Sequence, residues 1–169
     1  MDILVNKVAE SGIITLNLED FLPKQEIIEF DISYFLFRKL ILKEKEFRQH
    51  LKELDIAHFH QKIATVFCST EAIIPQWAYM LVTSTLLPAT GNIYFGTKEQ
   101  TTSEILLDNI RKIDAEKYNQ ERIVIKGCGT IPIPDSAYLE VTKKLIPVVK
   151  SLMFGEPCST VPIYKNKQL

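Results

Sequence analysis

Three short runs of consecutive apolar residues, rich in β-branched and aromatic side chains, constrain the fold of this chain more than any other feature. They are IATVFC at 63–68, NIYFG at 92–96 and RIVIKG at 122–127. A strand with one wet face alternates apolar and polar residues, whereas these runs are continuous, as in strands covered on both faces. Such strands are typical of a parallel sheet with helices packed against it.

Segments with helical spacing separate and follow these runs. One begins near Pro75, a favourable first-turn position, and ends at Pro88. A second covers about 103–113, and a third begins near Pro134 and carries apolar residues at helical spacing as far as Leu152. This alternation of strands and helices predicts a layered α/β domain.

The N-terminal part has a different pattern. Residues 13–18 alternate like a half-buried strand, 26–32 read as a second strand, and their short connection favours a hairpin or meander. A helical pattern follows from Leu40 to Leu54. We expect these strands to extend the sheet or pack beside it, and no internal repeat is evident. We therefore predict a single α/β domain over 1–169, with a small separate N-terminal domain as the alternative.

Length and composition exclude several classes of protein. With 46% hydrophobic residues, a chain of 169 residues can bury a core without disulfide staples. With a formal net charge of −1, the chain has no strong electrostatic field of one sign that would attract nucleic acid or an anionic membrane. The first residues, MDILVNKVAESG, lack the basic and apolar regions of a signal peptide. We therefore expect a cytoplasmic protein whose cysteines are reduced.

Two of the three predicted strand ends carry a cysteine. Cys68 begins the triplet Cys-Ser-Thr, and Cys128 lies between Gly127 and Gly129. Functional groups collect at the carboxyl ends of parallel strands, so we expect both thiols at the same edge of one sheet. A helix is predicted after each, and its free N–H groups favour a thiolate, which suits metal binding or nucleophilic chemistry. Core packing is the competing interpretation, above all for Cys68.

The third cysteine, Cys158, follows the last predicted helix and lies between Pro157 and Pro162. If that helix continues to about Met153, it is about 30 Å long and ends on the far side of the sheet. Cys158 would then be too far from the other two cysteines. A helix break at Pro147, or a site shared between the subunits of a homodimer, would remove this difficulty.

Glu71 and two histidines are further candidates. Glu71, three residues past Cys68, is the first choice for an oxygen ligand or a base if the segment forms a helical first turn; a helix-terminus charge is the alternative. His58 and His60 could form a metal pair, but they precede a predicted strand and should lie at the opposite edge of the sheet. The sequence contains neither of the glycine-rich phosphate-binding motifs G-x-x-x-x-G-K-[ST] and G-x-G-x-x-G.

Several stretches, taken together, resemble a known family. In chain order they are VNKVAESGIITLNLEDFLP, LILKEKEFR, ATVFCSTEAIIPQWAYM, IVIKGCG and PVVKSLMFGEPCSTVPIYK. Over nearly all of its length the chain resembles the uncharacterised bacterial family catalogued as domain of unknown function 2480. The resemblance implies no particular activity for the chain. Its motifs include Cys68, Cys128 and Cys158, and it implies a link to iron–sulfur cluster assembly.

These observations predict a cysteine-based metal site with Cys68, Cys128, Cys158 and Glu71 as candidate ligands. Thiolates select zinc or an iron–sulfur cluster, and iron–sulfur assembly proteins are the expected partners. In the alternative without metal, Cys128 is a catalytic nucleophile that carries sulfur as a persulfide, with another cysteine as resolving thiol. A binding module without chemistry is the third possibility.

Overall fold

The computed structural model describes residues 12–126, 129–156 and 159–166. Within them, the strands are β1 Ile13–Leu16, β2 Ile27–Asp31, β3 Ile63–Phe67, β4 Ile93–Phe95, β5 Arg122–Ile125, β6 Ser151–Glu156 and β7 Ser159–Lys165. The α-helices are α1 Glu44–Glu53, α2 Gln76–Leu86, α3 Lys98–Arg111 and α4 Asp135–Leu145. Short 3-10 helices cover Leu18–Phe21, Ile32–Phe35, Ile56–Phe59 and Ala115–Tyr118. No helix in these ranges is long and apolar enough to cross a membrane.

The chain divides into two compact units. Unit 1 consists of Met1–Leu22 and Ser103–Leu169, and unit 2 of Pro23–Thr102. The described strands of unit 1 form a sheet in the order β1-β5-β6-β7, and those of unit 2 form a sheet in the order β2-β3-β4. Neighbours are parallel except β6 and β7, which are antiparallel. The predicted α/β fold, with parallel strands, alternating helices and two N-terminal strands, is confirmed. That the chain forms one domain stays a prediction.

Two of the three continuous apolar runs, β3 and β5, are strands that are largely buried, whereas β4 is partly exposed; β3 shows the burial best. Four of its residues are buried, including Thr65 in the middle. The Thr65 hydroxyl donates to the carbonyl of Gly96 at 2.5 Å and lies 2.6 Å from the hydroxyl of Thr101. This buried polar group is therefore satisfied, as a polar residue inside a covered sheet must be.

Each unit has its own apolar core, in which the helices pack their buried stripes against the strands. The unit 1 core includes Leu106 and Ile110 of α3, Ile123 and Ile125 of β5, Val141 and Leu145 of α4, and Leu152 of β6. The unit 2 core includes Phe47 and Leu51 of α1, Ala64 and Val66 of β3, and Val82 and Leu86 of α2. Burial of this apolar surface is the main stabilising contribution to each unit.

The two units repeat one arrangement of elements. Residues 55–96 and 114–155 align without a gap, and Ile13–Phe21 aligns with Ile27–Phe35. In each unit, a strand and a 3-10 helix come first, followed by an α-helix, a 3-10 helix, a strand, a second α-helix and a third strand. Unit 1 then adds β7, for which unit 2 has no described counterpart. The chain therefore contains an internal structural repeat.

Strand register repeats together with the elements. Ala64 lies opposite Ile93 in unit 2, and the aligned Ile123 lies opposite Leu152 in unit 1. Identical residues at aligned positions are Asp55/Asp114, Gln61/Gln120, Ile74/Ile133, Pro75/Pro134, Ala78/Ala137, Tyr79/Tyr138, Val82/Val141, Thr83/Thr142, Leu86/Leu145, Pro88/Pro147, Phe95/Phe154 and Gly96/Gly155. The expectation of no repeat is thus wrong. The repeat escapes inspection because most aligned positions share only an apolar or polar character.

The predicted hairpin of the N-terminal strands is also wrong. β1 pairs with β5 and β2 pairs with β3, so the two strands belong to different sheets. Each is the first strand of its own repeat. After each strand, Asn17 or Asp31 caps a 3-10 helix by accepting the backbone N–H of Glu19 or Ser33. These turns redirect the chain, which prevents a hairpin.

The last helix is shorter than its apolar spacing predicts. α4 ends at Leu145, two residues before Pro147, which has no N–H to donate to the helical ladder. Val149 and Leu152 are buried as the spacing requires, but they lie outside the helix. Residues 151–165 instead supply β6 and β7, which were not predicted.

Candidate thiol site at the strand ends of unit 1

The carboxyl ends of β1, β5 and β6 lie at one edge of the unit 1 sheet, because these neighbours are parallel. One residue beyond β5, the backbone N–H of Lys126 donates to the carbonyl of Leu16 at 2.9 Å. A polar cleft of about 290 Å³ opens at this edge and is lined by Asn17, Glu19, Lys126, Gly129, Thr130 and Tyr138, among others. Cys128 lies outside the described residues, and the described residues on both sides of it line the cleft.

Glu19 provides the negative charge of the cleft. Its Oε1 accepts hydrogen bonds from the backbone N–H of Ile131 at 2.8 Å and from the hydroxyl of Thr130 at 3.3 Å. The Ile131 N–H, more than any other group, holds the pKa of Glu19 below its ordinary value of 4.5. The carboxylate is therefore ionised at neutral pH and is tied to the segment that follows Cys128.

Gly129 lies close to the carboxylate of Glu19, so a side chain at this position would displace that carboxylate. A Cβ built on Gly129 would lie 2.8 Å from the Cδ of Glu19, a separation that side-chain atoms do not adopt. The missing side chain lets Thr130 and Ile131 reach the carboxylate. Gly127, the second glycine that flanks Cys128, lies outside the described residues.

The ends of β6 and β7 that flank Cys158 in the sequence also lie at this edge. β6 runs parallel to β5 and ends at Glu156, which pairs with Ser159 at the start of β7. Cys158 falls between Glu156 and Ser159 in the sequence and is outside the described residues. The residues flanking Cys158 thus lie at the same edge as those flanking Cys128. The structure agrees with the alternative of a helix break at Pro147, because α4 ends at Leu145 and Ser151–Glu156 is a strand, so no helix to about Met153 carries the chain to the far side.

Cys68 lies in unit 2, directly after β3, and is half-buried. Its Sγ lies 3.3 Å from the hydroxyl of Thr70. Burial raises the pKa of Tyr79, and a thiolate at Cys68 adds to this effect. Because β3 and β5 belong to different sheets, the expectation that Cys68 and Cys128 end strands of one sheet is wrong. Sequence patterns identify strands but do not specify their partners.

Asp31 organises the strand ends of unit 2. Only 9% of this residue is exposed, and its Oδ1 accepts the backbone N–H groups of Ser33 at 2.8 Å and Ser69 at 3.0 Å. The two serine hydroxyls lie 2.9 Å apart. Burial by itself would raise the pKa of Asp31, but the hydrogen bonds from Ser69 and Ser33 outweigh it and hold the pKa below 3.8. The ionised carboxylate thus ties the end of β2 to the loop after β3.

The other predicted ligands remain apart. Glu71 is exposed in a turn and not in a helix, since α2 begins only at Gln76. His58 and His60 are exposed and precede β3, as expected. In the part of the chain that the structure describes, no three His, Cys, Asp or Glu side chains are grouped to hold a metal. Cys128 and Cys158 lie outside that part.

The internal repeat aligns the two thiol-bearing loops. Cys68 aligns with Gly127, and Ser69 aligns with Cys128, so each repeat has a cysteine within one position of the same place. Glu19 is a candidate residue that the sequence did not single out. The signal that would have found it is the match between IITLNLEDF and IIEFDISYF, which marks both segments as strand-end turns.

Comparison with known proteins is consistent with the resemblance found in the sequence. No curated protein and no solved structure matches the chain. A family model described as "Protein of unknown function (DUF2480)" matches residues 2–166, a span that includes both units and the three cysteines. The chain therefore belongs to the DUF2480 family.

Proposed function

We propose that the strand-end edge of unit 1 binds zinc or an iron–sulfur cluster through the thiolates of Cys128 and Cys158. The observation that carries the proposal is the parallel pairing of β5 and β6, which brings the residues flanking both cysteines to one edge. Cys128 is two residues from Lys126, and Cys158 is two residues from Glu156. Two residues span at most about 7 Å, and neighbouring strands are about 4.8 Å apart. Two thiolates at this edge can therefore serve one metal.

The chemistry of the cleft supports a soft metal. Thiolates prefer zinc and iron, and zinc also accepts carboxylate oxygens. Glu19 is ionised, and its Oε1 is engaged by Thr130 and Ile131, so its other oxygen is the one to offer to a metal. Two thiolates and one carboxylate would leave a fourth position for water or substrate, which is the pattern of a catalytic zinc site.

Cys68 and Glu71 are left out of this ligand set, because both belong to unit 2 and its separate sheet. A thiolate-ligated cluster would suit a role beside iron–sulfur assembly proteins. We place that role in the cytoplasm, where thiols stay reduced.

Elemental analysis tests the proposal. The protein is purified anaerobically, without a metal-binding tag, and its zinc, iron and acid-labile sulfide are measured against protein concentration. We expect zinc or iron in near-stoichiometric amount. Iron with sulfide and a visible absorption band would identify a cluster, whereas zinc alone would give a colourless protein.

A metal-free protein would contradict the proposal, and thiol labelling then separates the alternatives. Labelling of Cys128 at neutral pH that is much faster than for an ordinary thiol indicates a lowered pKa and favours the persulfide carrier. Slow labelling of Cys128 and Cys158 would leave both as packing residues.

A further inference from the structure

We propose that β4 is a dimer interface, at which two copies of the chain pair their β4 strands in antiparallel sense about a two-fold axis. The two three-stranded sheets of unit 2 would then join into one continuous sheet. The inference is independent of the metal site, because β4 belongs to unit 2.

The internal repeat shows what covers the equivalent edge in unit 1. There, the rings of Tyr138 and Phe154 lie 5.7 Å apart at 79°, and β7 pairs with the outer side of β6. Ile163 of β7 lines the same groove as these rings, and Phe154 is 36% exposed. The unit 1 edge is thus covered by an antiparallel strand that carries apolar side chains.

Among the described residues, no strand covers the same edge of unit 2. The aligned rings of Tyr79 and Phe95 lie 5.5 Å apart at 74°, in almost the same geometry as their unit 1 counterparts. Phe95 is 70% exposed, and no described strand pairs with the outer side of β4. An uncharged open edge of this kind is a template for pairing with another chain.

The backbone of β4 presents the groups that such pairing needs. The carbonyl of Asn92 accepts from Ala64 at 2.8 Å, and the N–H of Gly96 donates to Val66 at 3.0 Å, so these groups point towards β3. Backbone groups alternate in direction along a strand. The N–H and C=O groups of Ile93 and Phe95 therefore point away from β3.

A second copy of β4 fits these groups. With the two-fold axis at Tyr94, Ile93 of one copy lies opposite Phe95 of the other, and each such pair exchanges two hydrogen bonds. The strand carries no charge, so identical copies do not repel each other. The interface is self-complementary, as a two-fold dimer requires.

Sedimentation equilibrium with two matched variants tests the proposal. Wild-type protein should have twice the chain mass of 19.4 kDa. Phe95→Lys places a charge at the edge and should give the single-chain mass, with circular dichroism and metal content unchanged. Leu40→Lys is the control: Leu40 is 67% exposed in unit 2 but lies outside β4, and this variant should stay dimeric.

A disulfide then locates the interface. Tyr94→Cys should form a disulfide between copies on mild oxidation, because opposed residues of a non-hydrogen-bonded pair have Cα atoms about 4.5 Å apart. Peptide mapping should find residue 94 linked to residue 94. A monomeric wild type, as would result if residues 1–11 covered this edge, overturns the proposal. So does a dimer that survives Phe95→Lys, or one that forms no such link.

Discussion

At the scale of single residues, the two repeats use aligned side chains for the same structural task with different charge. Asn17 and Asp31 both cap the 3-10 helix that follows the first strand of their unit. Asp31 also accepts the backbone N–H of Ser69, which extends its role to the strand-end loop of unit 2. Substitutions at Asp31 therefore measure how much this one hydrogen-bond acceptor contributes to the stability of the fold.

Asp31→Ala should lower the free energy of unfolding by about 1–3 kcal/mol, because it leaves the N–H groups of Ser33 and Ser69 without their acceptor. Asp31→Asn keeps an oxygen acceptor, as Asn17 does in unit 1, and should cost less. Urea denaturation at neutral pH measures both. Equal losses in the two variants would show that the charge of Asp31 matters and its hydrogen-bonding geometry does not.

The charge of Asp31 predicts a pH dependence. Its pKa in the folded protein lies below the ordinary 3.8 because of the hydrogen bonds from Ser69 and Ser33. This group therefore stabilises the folded state at pH values above about 3.8, and the stabilisation is lost as pH falls through the lowered pKa. The difference in stability between wild type and Asp31→Asn should shrink below that pH. A difference that stays constant down to pH 2 would contradict the assignment.

At the scale of elements, sequence patterns predict those features that depend on interactions between residues close together in the chain. The sequence predicts β3 and β5 because short continuous runs rich in β-branched residues are typical of buried strands. The end of α4 was left open, because Val149 and Leu152 fit helical spacing while Pro147 favours a break; in the structure the helix ends at Leu145, before Pro147. The partner of each strand, and hence the two sheets and the edge at Cys158, depends on pairing between distant segments that no local pattern encodes.

The aligned glycines at the ends of β4 and β6 should differ in their tolerance of a side chain. Gly96 and Gly155 have φ of 123° and 122°, which a residue with a Cβ rarely adopts. A Cβ at Gly155 would lie 2.5 Å from the backbone carbonyl oxygen of Ser159, whereas one at Gly96 meets the side chain of Gln100, which can move.

Gly155→Ala should therefore lower the free energy of unfolding by about 1–2 kcal/mol more than Gly96→Ala does. Backbone strain of similar size should affect both variants. Urea denaturation of the two variants measures the difference. If Gly96→Ala is the more damaging change, the close contact at Ser159 does not limit the β6–β7 turn.

At the scale of the whole molecule, the chain contains two copies of one supersecondary arrangement, each with its own sheet and apolar core. α3 begins in unit 2, where the hydroxyl of Thr101 bonds to Thr65, and continues into unit 1, where Leu106 and Ile110 are core residues. Because one helix belongs to both units, we expect them to unfold together.

Two optical probes test this cooperativity. Trp77 is the single tryptophan of the chain and reports on unit 2, while far-ultraviolet circular dichroism reports on both units. Val141→Ala in the unit 1 core should cost about 2 kcal/mol and shift both probes to the same lower urea midpoint. The aligned Val82→Ala in unit 2 is the matched variant. If the urea midpoint of the tryptophan transition is the same in Val141→Ala as in the wild type, the units unfold separately.

The most direct test of the metal site is the metal content of three single cysteine variants, each purified anaerobically beside the wild type. Cys128→Ser and Cys158→Ser remove proposed thiolate ligands and should lose the bound zinc or iron. They should also lower the melting temperature, because bound metal stabilises the folded state. Cys68→Ser changes a thiol in unit 2 and should keep the wild-type metal content. Equal metal loss in all three variants, or loss in Cys68→Ser alone, would contradict a site at the strand ends of unit 1.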